Sequence, residues 1–189
     1  MKKVLYFAAL LLTTVFASCE KEEIGGTATQ ATAGQWYVTI DAVDENGKPI
    51  QGGEDYFGLG RFILLTYNTV ENDPTVMWVD DLGQCNVGAK YEDNYPSYCI
   101  KAKVSINQSS MTFKSNEAQN FGDGWRTFKA MPVTIDGKIL KGAGHQNNGS
   151  VADSIIFFVS YKNDPWYPDD GYAKYKVSGI RYSGLEEND

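Results

Sequence analysis

No stretch of this chain keeps a helical period across three turns; the recurring period is two, the alternation of a half-buried strand. From Gln35 to Val43 it places Trp36, Val38, Ile40 and Ala42 on one side and Tyr37, Thr39 and Asp41 on the other, and Asp44-Glu45-Asn46-Gly47 follows as a turn. Arg61 to Thr69 and Thr75 to Asp80 are strongly apolar runs of strand length. Tyr98 to Ile106 alternates again, and Met111 to Lys114 follows a polar turn. Val133-Thr134-Ile135 and Lys138-Ile139-Leu140 flank Asp136-Gly137, the strongest short hairpin signal present. Gln146-Asn147-Asn148-Gly149 marks another turn, and Ser154 to Tyr161 and Tyr172 to Tyr182 close the series. About eight or nine short strands at this spacing predict an all-β sandwich or barrel.

The two ends of the strand series favour the barrel. Gly34-Gln35-Trp36 opens the first strand and Gly179-Ile180-Arg181 sits in the last. A guanidinium can lie on an indole face and donate to nearby carbonyls. The registers agree, since Trp36 shares a face with Val38 and Ile40, and Arg181 with Val177 and Tyr175. The arrangement resembles the calycin pattern of lipocalins and their relatives, which implies an antiparallel up-and-down barrel closed at one end by Trp36 and Arg181. The plainer alternative makes Trp36 a core residue of any β fold and Arg181 a surface charge.

The amino terminus addresses the chain. Lys2 and Lys3 precede a short apolar run from Val4 to Val15, and the small residues Ala17-Ser18 precede Cys19. That is a secretory signal peptide, too short in its apolar core to span a bilayer. Cys19 after two small residues resembles the lipobox of bacterial lipoproteins, with Phe16 standing where leucine is usual. The resemblance implies cleavage before Cys19 and its modification by acyl chains, palmitate among them. Glu20-Lys21-Glu22-Glu23 resembles the Lys-acidic-acidic signal that sends lipoproteins of Bacteroidota-type bacteria to the outer face of the outer membrane. The alternative is a cleaved secretory signal followed by an ordinary acidic linker.

The expected organisation is a signal peptide over 1–18, lipidated Cys19 with a flexible, small and polar tether over 19–33, one barrel domain over 34–185, and a tail over 186–189. Loss of Lys2 and Lys3 takes the formal net charge from −7 to −9. Such an acidic surface argues against nucleic acid and against a polybasic grip on anionic lipid, so membrane attachment falls to the lipid on Cys19 alone. A monomer is expected.

Chemistry is sparse. Cys85 and Cys99 remain after Cys19, and in an oxidising compartment they form a candidate disulfide; the alternative is two thiols. The single histidine, His145, lies near Ser150, Asp153 and Ser154, but no G-x-S-x-G elbow presents a serine, so no catalytic residue is assigned. No C-x-x-C or H-E-x-x-H pattern occurs, and neither a metal nor a cofactor is expected. The acidic loop from Asn163 to Gly171 departs from EF-hand spacing and reads as a proline-stiffened connection. Aromatic residues make up 13% of the chain. Tyr91, Tyr95, Trp125, Trp166 and Tyr167 fall in loops, where they form either an apolar mouth, a stacking platform or plugs over the core.

The stretches AGQWYVTID, RFILLTYNT, KILKGAGHQNNGSVADSIIFFVSY and YKVSGIRYSG resemble the lipid-binding putative hydrolase family of Bacteroidota lipoproteins, across about residues 34 to 184. The resemblance implies a lipocalin-like barrel and an apolar ligand, while its hydrolase half finds no matching residues here. Two functions follow as expectations. The first is a lipid or other apolar small molecule held inside the barrel, with Val38, Ile40, Phe62, Leu64, Val104, Phe157 and Tyr175 facing inward around a cavity of several hundred Å3. A solidly packed interior would contradict that site. The second is a glycan-binding or partner-binding surface lipoprotein of a nutrient-capture system, using Trp125, Trp166 and Tyr167 as exposed platforms.

Overall fold

The computed structural model describes residues 25–85, 97–122, 130–164, 174–185 and 188. Eight strands follow one another around a closed antiparallel barrel: β1 (Gly34–Val43), β2 (Phe62–Asn68), β3 (Val76–Asp80), β4 (Lys101–Asn107), β5 (Thr112–Ala118), β6 (Val133–His145), β7 (Val151–Tyr161) and β8 (Lys174–Arg181). Closure comes from β8 pairing back on β1, from Trp36 opposite Arg181 to Val43 opposite Lys174. The expected lipocalin-like barrel is the fold observed, with eight strands.

Alternation does the building, one apolar row per strand turned inward. β1 buries Trp36, Val38, Ile40 and Ala42; β3 buries Met77 and Val79; β4 buries Ala102, Val104 and Ile106; β7 buries Ile155, Phe157, Val159 and Tyr161. These rows pack into one apolar cluster.

Two local readings are corrected. Asp136-Gly137 makes no turn; it lies inside β6, a single strand that pairs with β5 on one side and β7 on the other. A Cβ at Gly137 would stand 2.3 Å from Cβ of Phe157 and 2.6 Å from Cζ of Phe113, so the glycine admits two rings that meet edge to face at 5.8 Å. Tertiary packing overrides the hairpin signal. The second correction concerns the tether. Residues 25–33 lie across one end of the barrel, with Thr29 and Thr32 buried. Gln108 Nε2 donates to the Ala28 carbonyl at 2.7 Å, Ala28 N donates to Asn72 Oδ1 at 2.8 Å, and Lys141 Nζ donates to the Ala31 carbonyl at 3.1 Å. Backbone groups satisfied in this way hold a segment whose polar composition alone suggests freedom. Residues 19–24 lie outside the described residues.

The meander sorts its connections by length. Residues 69–75, 108–111 and 146–150 turn tightly at the end that carries residues 25–33. Residues 44–61, 81–100, 119–132 and 162–173 connect strands at the other end, the mouth.

Candidate functional site at the barrel mouth

The closed end is a lock of strand residues. Arg181 Cζ lies 4.4 Å from the centre of the Trp36 ring, Nη1 donates to the Ala33 carbonyl at 2.8 Å, and Nε meets Asp153 Oδ2 at 3.3 Å. Trp36 Nε1 donates to Thr66 Oγ1 at 2.9 Å, and that hydroxyl donates to the Thr32 carbonyl at 2.7 Å. A Cβ on residue 34 would sit 2.3 Å from Arg181 Nη1, which is why glycine precedes the tryptophan by two. Asp153 also accepts from Lys141 Nζ at 2.9 Å and from Gly142 N at 3.0 Å. Burial pushes its carboxyl up, but these donors and Arg181 more than offset that and hold it below the ordinary range. Asp153 is thus engaged in closing the barrel, while His145 and Ser150 stand exposed at the strand ends.

The mouth is aromatic. Phe57, from the loop after β1, stacks on Tyr175 at 5.1 Å and 29° and lies 5.2 Å from Tyr98; Tyr56 sits edge-on to Phe57 at 5.3 Å. Tyr161 meets Tyr98 at 5.0 Å and Tyr175 at 5.8 Å. The phenol tips converge on polar partners: Tyr98 and Tyr175 both donate to the carboxylate of Asp164, the latter at 3.2 Å, and Tyr161 donates to the Tyr98 carbonyl at 2.6 Å. Rings facing the core and hydroxyls collected on one carboxylate make an amphipathic cap on the barrel.

The 44–61 connection reaches over this cap as a strap. Asp55 N donates to Asp41 Oδ1 at 3.1 Å, and the Asp55 carboxylate accepts from Leu59 N at 2.9 Å and Gly60 N at 3.0 Å. Ile50, Tyr56, Phe57 and Leu59 are partly buried against the core.

At the same end, Asp81 continues the β3–β4 ladder by donating its N–H to the Ile100 carbonyl at 2.9 Å. Its buried carboxylate accepts from Gly83 N at 2.9 Å and Cys85 N at 3.2 Å. Burial pushes this carboxyl up to about 6, despite the lowering effect of those N–H groups. Cys85 and Cys99 are fully buried thiols beside it, and burial raises Cys85 well above its usual range.

The inward residues expected to line a ligand cavity are core. Val38, Ile40, Leu64, Val104, Phe157 and Tyr175 are at most 1% exposed and Phe62 is 6% exposed, which leaves no water-accessible lumen beside them. Only Tyr175 belongs to the mouth. Trp125, Trp166 and Tyr167, with Tyr91, Tyr95 and Cys19, lie outside the described residues. Two cavities among the described residues lie away from the core: one of about 350 Å3 at the closed end beside Gln146, Asp153 and Leu185, and one of about 380 Å3 over Ser105, Lys114 and Asp136 on the outer wall. No group of three or more His, Cys, Asp and Glu side chains placed to hold a metal occurs among the described residues. Tyr56, Phe57, Tyr98, Tyr161 and Asp164 were not among the sequence candidates. For the first two a signal exists: an aromatic pair inside a glycine-rich connection, Gly52-Gly53 before it and Gly58 and Gly60 after.

A family model described as "Lipid-binding putative hydrolase" matches residues 21–186. The chain belongs to that family, which accords with the lipocalin-like barrel. No curated protein matches it.

Proposed function

We propose that the protein binds a lipid or other apolar molecule at the barrel mouth, in the space taken by Phe57 and Tyr56 when the strap is down. One observation carries this reading: at the upper barrel Phe57 and Tyr56, rings from a connecting loop, pack onto Tyr98 and onto Tyr175 of the sheet. The strands below are packed to the exclusion of a ligand, whereas a strap can lift without breaking a ladder. Apolar ligand surface then replaces the two rings against Tyr98 and Tyr175, with burial contributing roughly 25 cal/mol per Å2. Asp164 and the two phenols it gathers offer a polar end for a head group.

The test is titration of a fluorescent fatty acid into wild type and Phe57→Ala. Removing the ring should tighten binding about tenfold, because the self-occupied state no longer competes. Binding unchanged in Phe57→Ala, with the fold intact, would place the ligand elsewhere. Mass spectrometry of an organic extract from protein purified from its host identifies the natural occupant.

The same reading has the protein held at the outer membrane by acyl chains on Cys19, monomeric and facing the exterior. The lipobox-like residues, Lys21-Glu22-Glu23 and the acidic domain support it. Labelling with palmitate that persists in Cys19→Ala would overturn the anchor, and protection of the domain from protease on intact cells would overturn the orientation.

A further inference from the structure

The two cysteines that bracket the connection between β3 and β4 are each buried and fixed near the Asp81–Ile100 pairing by independent devices. The ladder extends one step past β3, with Asp81 N bonded to the Ile100 carbonyl, which sets Cys99 one residue beyond that pairing. A turn then brings Cys85 back to the same residue: Gln84 N donates to the Asp81 carbonyl at 3.0 Å, and the Asp81 carboxylate accepts from Cys85 N. Cys99 is fixed from its own side. Its N–H donates to Ser97 Oγ at 3.1 Å, and its carbonyl accepts from Asn120 Nδ2 at 2.9 Å. Ser97 Oγ in turn donates to the Gly122 carbonyl at 2.7 Å. Both side chains are 0% exposed.

We propose that Cys85 and Cys99 are a disulfide pair that, once oxidised, staples the base of the β3–β4 connection at the barrel mouth. The oxidant is a disulfide, small-molecule or protein. Its S–S bond and two cysteine S–H bonds break, one protein S–S bond and two oxidant S–H bonds form, and two electrons and two protons pass to the oxidant. Because the pair is dry, exchange requires the connection to open, after which the bond stays protected. Phe57 of the strap packs 5.2 Å from Tyr98, next to Cys99 in sequence, so a connection tied by a covalent bond would underlie a strap held by hydrogen bonds and ring contacts. The staple does not depend on the identity of the ligand.

The experiment uses the full lipidated chain purified without reductant, equilibrated with oxidised glutathione at a mildly destabilising urea concentration, and then denatured with a maleimide present. The expected result is an intact mass lighter by two hydrogens, with neither Cys85 nor Cys99 labelled. Dithiothreitol should restore both labels and shift the unfolding equilibrium roughly a hundredfold toward the unfolded state, the scale for a loop of this length. Cys85→Ala and Cys99→Ala should each abolish the dithiothreitol effect. Full labelling of both thiols after oxidation, or a reductant effect that persists in both variants, overturns the proposal. Recovery only of glutathione adducts or of dimers linked through these positions overturns it equally.

Discussion

At the closed end the stabilising side chains belong to strands, whereas at the mouth side chains from the connections pack onto Tyr161 and Tyr175 of the sheet. Trp36 and Arg181 are cross-strand partners whose positions are fixed by ladder register. Phe57 and Asp164 sit outside the sheet and reach the same kind of aromatic and ionic contact from loops. The difference appears in two carboxylates. Asp153 is surrounded by Lys141, Arg181 and a backbone N–H and is held below the ordinary range; Asp81 is buried among N–H donors and thiols and is pushed up to about 6. One end is built as a lock of opposite charges. The other keeps a costly buried acid to organise a turn.

The largest way to break the comparison is Trp36→Ala. The side chain is fully buried and donates to Thr66, so its removal should cost about 3–5 kcal/mol, measured as a lower urea midpoint. A loss below about 1 kcal/mol would mean that the closed end is not the lock described. Next is pH. The folded state keeps the Asp81 proton up to about 6 while the unfolded chain releases it near 3.8, so stability falls as pH rises through that window. The drop should be on the order of 3 kcal/mol and should flatten in Asp81→Asn. Asp153 acts with the opposite sign, its contribution being lost as pH falls below 3.8. Stability is therefore expected to peak near pH 4, and a monotonic rise to neutral pH would contradict the assignment of Asp81.

The closed end was legible in the sequence because its signals are covalently anchored to strand alternation. Gly34, Trp36 and Arg181 sit at defined registers of strands whose apolar rows announce themselves. The mouth was not legible for the converse reason. Phe57 and Tyr98 meet across more than forty positions through loops without periodicity, and nothing in local composition says that two phenols will share Asp164. The inward row is buried as its alternation implies, but alternation reports which face is buried and not what fills it. Asp136-Gly137 failed differently: the turn chemistry is right for a hairpin, but two phenylalanine rings needed the volume that only glycine leaves.

Two smaller perturbations sharpen the contrast. Arg181→Lys keeps the charge over Trp36 but loses the fork that serves Ala33 and Asp153 together, so stability should fall by about 1–2 kcal/mol with ligand uptake unchanged. Asp55→Ala should do the reverse. It removes the carboxylate that gathers the N–H groups of Leu59 and Gly60 in the strap, a partly solvated contact outside the ladders. Water can take over both donors, so the cost in global stability should be no more than about 1 kcal/mol. The root of the strap stays tied to β1 through Ala42 N and the Gly53 carbonyl at 2.7 Å, so loosening the rest of it should raise the stopped-flow association rate of a fluorescent fatty acid several-fold while the urea midpoint scarcely moves. If the midpoint falls as far as for Arg181→Lys and the rate stays constant, the strap is part of the barrel's structural lock, and the distinction between a fixed end and an opening end does not hold.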